Sequence, residues 1–269
     1  MMAVKLTEGQ FARIQQLVES YTGIHLAKHK LTMVESRLQA RIAQTNSSGF
    51  DEYLNSLSDR RVNGEFWFFI DKMTTHETSF FREDYQFEIL ESLLQSTVKI
   101  RPVKVWSAAC STGEEAYSLA MVLQDALGVG GWSLLGTDVS ELAIEKAKTC
   151  QFDLAGAEKI PTHYRRSYCL KGVGEYSDHF TLVKSVRNAC QFQSHNLLKS
   201  KGKDLYDVIF LRNILIYFST EIQQLIVANV IAALKLGGLL FLGHSENILR
   251  DNPNVTLVDN CIYQKVGYE

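Results

Sequence analysis

The run from Val103 to Ser118, Val103-Lys-Val-Trp-Ser-Ala-Ala-Cys-Ser-Thr-Gly-Glu-Glu-Ala-Tyr-Ser118, constrains this chain most, because a short apolar stretch stops at small residues and a helical pattern starts at once. It reads as a strand, a tight turn and a helix. Val103, Val105 and Trp106 suit a buried strand; Tyr117, Leu119, Ala120, Val122 and Leu123 can line one helix face. Between them, Ser107 to Gly113 carry little side-chain bulk, so the turn can bring its backbone against a ligand. Further on, Leu134-Leu-Gly-Thr-Asp138 ends a second apolar run in a carboxylate. A doubly wound sheet puts the acid that grips a ribose diol at that point.

The turn narrows the ligand. A dinucleotide enzyme wants G-x-G-x-x-G, which lets a pyrophosphate reach the amides of a helix N-terminus. Here only Gly113 is present, followed by Glu114 and Glu115. Two carboxylates in a first helical turn suit the macrodipole and repel an arriving phosphate. The pair therefore favours a nucleoside without phosphates, and a cationic one at that. S-adenosylmethionine fits, being an adenosine, an amino acid and a sulfonium charge. A surface helix with an ordinary acidic first turn is the competing reading of the same residues.

At 269 residues the chain allows one large domain or two smaller ones with a proper core. A net charge of -2 implies no general affinity for nucleic acid, so charged partners must be met by local patches. The five cysteines (Cys110, Cys150, Cys169, Cys190, Cys261) form no CxxC pair, which favours a reducing compartment and argues against a disulfide framework or a zinc site. The first residues, Met1 to Lys5, lack a signal peptide's apolar core, and no run of about 18 apolar residues exists, so no membrane insertion and a cytoplasmic location are expected.

Taken in order, Thr7-Glu-Gly-Gln10 has the form of a capping box before a helix through Phe11, Ile14, Leu17, Val18 and Tyr21 that ends near Gly23. Leu31, Val34, Leu38 and Ile42 mark a second helix carrying Lys28, Lys30, Arg37 and Arg41; its basic face is either a solvated surface or a dock for an acidic helix. Shorter helices run through Tyr53, Leu54 and Leu57, then through Phe66, Trp67, Phe69, Ile70 and Met73, giving an all-helical unit over residues 1–73. Residues 74–90 read as a linker whose polar groups face a cleft while Phe80 and Phe81 anchor it; a capped helix start is the alternative. The remainder, 91–269, reads as α/β, with a helix from Ser140 that turns Leu142, Ile144 and Ala147 inward. From about 151 to 190 the alternation is interrupted, with short antiparallel strands that include Phe180 to Val183 and Val186, and a small β-subdomain is placed at 160–190. Strands then follow at Cys190 to Phe192, Tyr206 to Leu211, Leu239 to Gly243 and Asn260 to Tyr263, with a helix from Thr220 to Leu234 capped near Gly237 and Gly238.

Five blocks of this sequence together resemble one family. They are Thr74-Thr-His-Glu-Thr-Ser-Phe-Phe-Arg82, Trp106 to Glu115, Gly136-Thr-Asp138, Phe210-Leu-Arg-Asn-Ile-Leu-Ile-Tyr-Phe218 and Gly243-His-Ser-Glu-Asn247. They are similar to the chemotaxis receptor methyltransferases of bacteria, the CheR family, over nearly the whole chain. The resemblance implies a helical N-terminal domain, a Rossmann-like S-adenosylmethionine-dependent domain and a small inserted antiparallel β-subdomain. It further implies methyl transfer to glutamates on the cytoplasmic methylation helices of chemoreceptors, with S-adenosylhomocysteine as product.

By matching position, the family's cofactor contacts fall on His76, Thr78, Arg82, Glu115, Asp138, Asn196, Leu197, Asn213 and Ile214, and Arg82 and Tyr217 are placed beside the reacting centre. His76 stands where the family often has asparagine, and its charge near a sulfonium would depend on pH. The resemblance also makes Lys30, Arg37 and Arg41 candidates for docking the acidic receptor helices, and the β-subdomain, with Gly172-Val-Gly174, a candidate for binding a receptor C-terminal peptide. No metal is expected. Two competing functions remain at this point: methylation of another protein or a small molecule, and a cofactor-binding sensor without catalysis.

Overall fold

The computed structural model describes residues 5–57, 64–95 and 102–267; Met1 to Val4, most of the segment read above for a leader, lie outside these. Four helices come first: α1 (Glu8–Thr22), α2 (Leu31–Gln44), α3 (Phe50–Ser56) and α4 (Gly64–Met73). The expected capping box opens α1: Gln10 N donates to Thr7 Oγ1 at 3.3 Å and Thr7 N to Gln10 Oε1 at 3.0 Å. Gly23 closes it at a φ of 77°, the left-handed cap that glycine adopts without strain.

Residues 74–84 then carry no helix or strand, so the polar stretch is not a capped helix start; α5 (Tyr85–Gln95) begins only after it. Phe80 and Phe81 are buried, as their anchoring role requires. Phe81 and Glu83 sit at φ of 50° and 57°, which bulky residues occupy only when their surroundings hold them there.

The α/β alternation follows as β1 (Val103–Ala108), α6 (Glu114–Leu127), β2 (Trp132–Asp138) and α7 (Glu141–Thr149). Next come β3 (Phe152–Asp153), α8 (Thr162–Tyr168), β4 (Cys169–Lys171), β5 (His179–Leu182) and α9 (Lys184–Arg187). Last are β6 (Cys190–Ser194), β7 (Tyr206–Leu211), α10 (Thr220–Ala233), β8 (Leu234–Leu242), β9 (Val255–Asp259) and β10 (Ile262–Lys265). One sheet has the order β6-β2-β1-β7-β8-β10-β9, parallel except where β10 runs against β8 and β9. A second, antiparallel sheet has the order β3-β5-β4. Chain order reverses at β1, with β2 on one side and β7 on the other, and ligands of open α/β sheets sit beyond the carboxyl ends of strands at such a point.

Alternation along β1 and β7 divides the core. Trp106, Ala108, Ile209 and Leu211 pack on the face covered by α10 and the four N-terminal helices, while Val103, Val105, Val208 and Phe210 pack on the face of α5 and α6. The N-terminal helices therefore share a core with the sheet.

Several local readings are corrected. Leu142 is 36% exposed, and Ala143, Ile144 and Ala147 face inward, the set that a 3.6-residue period selects. Val186 lies in α9 rather than a strand. The small sheet takes its first strand from Phe152–Asp153, upstream of residue 160. No glycine cap ends α10: Leu234 passes straight into β8, and Gly237, at φ 74°, sits within the strand beside a register shift. β9 carries exposed residues after its first position, so it has no buried stripe to read.

Candidate functional site

The turn after β1 is sharply bent. Ala109, Ser111 and Gly113 have φ of 65°, 50° and 104°, left-handed values that cost a non-glycine residue about 1–2 kcal/mol. Gly113 is needed on a second count, since a Cβ there would stand 3.1 Å from Cβ of Ala147, where α6 meets α7. The bend aims Ser111 N at Asp138 Oδ2, 2.9 Å away, while Ser140 N donates to Oδ1 at 2.9 Å. Burial pushes the Asp138 carboxyl above its ordinary range, against the pull of these amides and of His76.

A polar chain runs from Asp138 into the helical unit. Ser140 Oγ, which caps α7 by accepting from Ala143 N, donates to Asp71 Oδ1 at 2.7 Å. Asp71, near the end of α4, lies 3.1 Å from His76 Nε2. Burial alone would raise Asp71 and lower His76. Their mutual bond and neighbouring charges outweigh it, holding Asp71 down at about 2 and His76 above its ordinary value.

Arg212, 5% exposed at the end of β7, knits the other side. Its guanidinium reaches Glu83 Oε2 at 3.1 Å and Glu115 Oε2 at 3.3 Å, and donates to the carbonyl of Arg82. Glu115 Oε1 accepts from Ser107 Oγ at 2.8 Å; burial raises its carboxyl although Arg212 pulls the other way. Asn213 follows at φ 57°, held by Glu83 through its side chain (3.0 Å) and by Glu246 through its backbone N (3.1 Å). Glu246, 4% exposed, also accepts from Gly243 N at 2.8 Å and Leu215 N at 2.7 Å. One buried carboxylate thus braces three backbone donors of the turns around Tyr217, and Gln223 Nε2 adds bonds to the Leu215 and Phe218 carbonyls at 3.0 Å each.

These elements enclose two adjoining hollows. The first is lined by His76, Asp138, His195, Asn196, Leu197, Ile214 and Tyr217, and by Ile24, Leu26, Lys30 and Met33 of the helical unit. The second is lined by Thr78, Arg82, Glu115, Asp138, Arg212, Asn213, Ile214 and Tyr217. All nine residues expected to contact cofactor, and both expected at the reacting centre, fall on these walls. Lys30, Arg37 and Arg41, expected to dock a partner, have internal contacts. Lys30 Nζ stands 5.6 Å from the ring centroid of Tyr217. Arg37 Nη1 donates to the carbonyls of Lys72 and Thr74 at 3.0 and 3.2 Å. Arg41 grips Glu65 with Nε and Nη2, and Tyr53 Oη donates to the same carboxylate at 2.7 Å.

Sequence reasoning missed Arg212, Glu83, Glu246, Asp71 and His195. Arg212 and Glu246 lay within the family blocks Phe210 to Phe218 and Gly243 to Asn247 without being given a role, and Glu83, Asp71 and His195 were not singled out.

The walls suit S-adenosylmethionine. Ile24, Leu26, Met33, Leu197 and Phe218 offer an apolar slot of the kind a purine fills, and His195 Nε2 is buried there without a partner. The carboxylates of Glu115 and Asp138 suit a ribose and a cationic amino-acid end. Among the described residues no group of His, Cys, Asp and Glu could hold a metal ion, and no helix is long and apolar enough to cross a membrane.

Residues 9–74 match the all-alpha domain of the CheR methyltransferases, and residues 76–263 match their SAM-binding domain. The chain is 35% identical to the chemotaxis protein methyltransferase of Escherichia coli strain K12, over 96% of this chain and 91% of that one. It is 36% identical to the chemotaxis protein methyltransferase of Salmonella typhimurium over 90% of this chain and 85% of that one. It is 32% identical to chemotaxis protein methyltransferase 2 of Pseudomonas aeruginosa over 96% and 93%. With both domains matched in order and relatives covered almost end to end, the chain belongs to the CheR methyltransferase family and carries that family's S-adenosylmethionine-binding domain.

Proposed function

We propose that this protein methylates glutamate side chains on the cytoplasmic methylation helices of chemoreceptors, forming glutamyl methyl esters. The observation that carries the reading is the second hollow, where Arg82 and Tyr217 share a wall with Glu115, Asp138 and Asn213. S-adenosylmethionine supplies an electrophilic methyl group on a sulfonium and leaves as the thioether S-adenosylhomocysteine. The acceptor needs no base, because a glutamate with a pKa of about 4.3 is already ionised near neutrality. The protein's task is placement and exclusion of water.

In this reading Arg82 holds the incoming carboxylate, and its backbone is pinned by Arg212. Tyr217 shapes the channel between the hollows; its carbonyl accepts from His25 N at 3.1 Å, which ties the channel to the helical unit. Thr78, Asn213 and Ile214 line the cationic end, Asn196 and Leu197 the adenosine end, and His76 stands beside the sulfonium. Residues 1–73 form the docking unit, 74–90 the linker that contributes to the site, and 91–269 the methyltransferase unit, whose insertion runs from β3 to α9. Docking through Lys30, Arg37 and Arg41 belongs to the same proposal, each also keeping its internal contact. So does capture of a receptor C-terminal peptide by the small sheet. The five free cysteines support a reducing, cytoplasmic setting.

The test is transfer of a labelled methyl group to membranes that contain chemoreceptors, read as methanol released by mild base. Arg82→Ala should abolish base-labile label while leaving S-adenosylhomocysteine binding within a few-fold. Full activity in Arg82→Lys would remove the role given to Arg82. Base-stable label, or tight cofactor binding with no receptor labelled, would remove the substrate.

A further inference from the structure

A third hollow lies beside the edge strand β6. It is lined by Tyr117 of α6, Lys148 of α7, Lys184 and Arg187 of α9, Asn188, and Cys190 and Phe192 of β6. Cys190 begins β6, whereas Ser194, at its far end, pairs with Asp138 of the cofactor site, so the strand separates the two places.

Its charge is unbalanced. Lys148 has a partner, Glu145 Oε1 at 2.7 Å. Among the described residues no acidic side chain pairs with Lys184 or Arg187. Arg187 is half-buried, and its Nε is fully buried with no hydrogen-bond acceptor. A buried donor left unmade costs about 1–3 kcal/mol, and no internal acceptor holds this guanidinium among the described residues, so its outer donors are free to meet a partner in the hollow. Tyr117 and Phe192, with ring centroids 5.3 Å apart, give the hollow an aromatic wall, and the Tyr117 hydroxyl is turned away to the Ala147 carbonyl. Beside such a wall a charge is screened less than at an open surface.

We propose that this hollow binds a compact doubly charged oxyanion, a phosphate or phosphomonoester, held by Arg187 and Lys184 with Lys148 at the rim. Three cations less the one paired with Glu145 leave two uncompensated, which matches a dianion. The Arg187 fork supplies planar donors suited to phosphate oxygens, and the flexible Lys184 a mobile point charge. An anion there would tie α7, part of the main sheet's layer, to α9, the last segment of the insertion.

The test is thermal unfolding of the full-length protein in sodium phosphate against sodium chloride at equal ionic strength and pH. Phosphate should raise the midpoint beyond chloride. In Arg187→Met that difference should shrink to the general stabilisation that phosphate gives any fold, while the midpoint in chloride does not fall, because the unpaired donor has gone. Lys184→Gln, at an exposed position, should weaken phosphate affinity several-fold with the chloride midpoint unchanged, and it serves if Arg187→Met fails to fold. A second arm measures co-sedimentation with phosphatidylcholine vesicles with and without phosphatidic acid. Retention by phosphatidic acid that Arg187→Met loses assigns the phosphomonoester to a lipid headgroup; a phosphate-specific shift without retention assigns it to a soluble species. Equal midpoints in both salts with no retention, or a phosphate shift kept by both variants, overturn the proposal.

Discussion

Replacing Glu246 by glutamine tests the most concentrated support in the site. The carboxylate accepts three backbone donors, from Gly243 and Asn213 at one oxygen and from Leu215 at the other, with 4% of the residue exposed. In Glu246→Gln the introduced side chain could turn its carbonyl to the first pair, but its amide group would then face Leu215 N–H, donor against donor. One charge-assisted bond is lost and a buried donor is left unmade, a cost of about 2–3 kcal/mol. Asn213, at φ 57°, would lose part of the restraint that keeps it left-handed. If about half of that cost, near 1.4 kcal/mol, reappears as disorder in the turn that lines both hollows, affinity for S-adenosylhomocysteine falls about tenfold. Urea unfolding reports the first quantity and isothermal titration the second. An unchanged urea midpoint with unchanged affinity would refute the brace. A lower midpoint with unchanged affinity would confine Glu246 to folding.

Three further outcomes are expected. His76 is raised and Asp71 held at about 2, so their pair stabilises the fold above the ordinary Asp value of 3.8, and that contribution is lost as pH rises from 6.5 through the higher folded value of His76. Over that rise S-adenosylmethionine should gain affinity relative to its neutral product as the imidazolium beside the sulfonium discharges; parallel pH profiles for the two ligands, or an unaltered profile in His76→Asn, would count against it. Arg41→Ala removes the guanidinium that grips the buried Glu65 carboxylate beside the Tyr53 hydroxyl and should cost about 2 kcal/mol in urea unfolding, after allowance for partial exposure of Arg41; a loss seen only in receptor KM would favour pure docking. Gly113→Ala puts a Cβ 3.1 Å from Ala147 at a φ of 104° and should cost about 2 kcal/mol and weaken cofactor binding, whereas a neutral result would show that α6 can shift away from α7.

The amino-acid sequence by itself determined the layers and the location of the site. Apolar periods of two and of 3.6 residues are local, so β1, α6, β2 and β7 could be read directly, as could the cap at Thr7 and the acid at Asp138. The blocks that line the hollows are likewise contiguous runs. Tertiary structure alone decided how those runs are held. Glu246 reaches Asn213 across 33 residues, Ser140 reaches Asp71 across 69, and Arg212 reaches the Arg82 carbonyl across 130. No periodicity encodes such a pairing, because its gain depends on burial that exists only after the chain has closed. The same reason governs the internal contacts of the basic residues. Spacing put Lys30, Arg37 and Arg41 on a surface, but whether a cation faces solvent, a ring or a buried carboxylate is set by what packs against it. Here Tyr217, the carbonyls at the end of α4, and Glu65 do so.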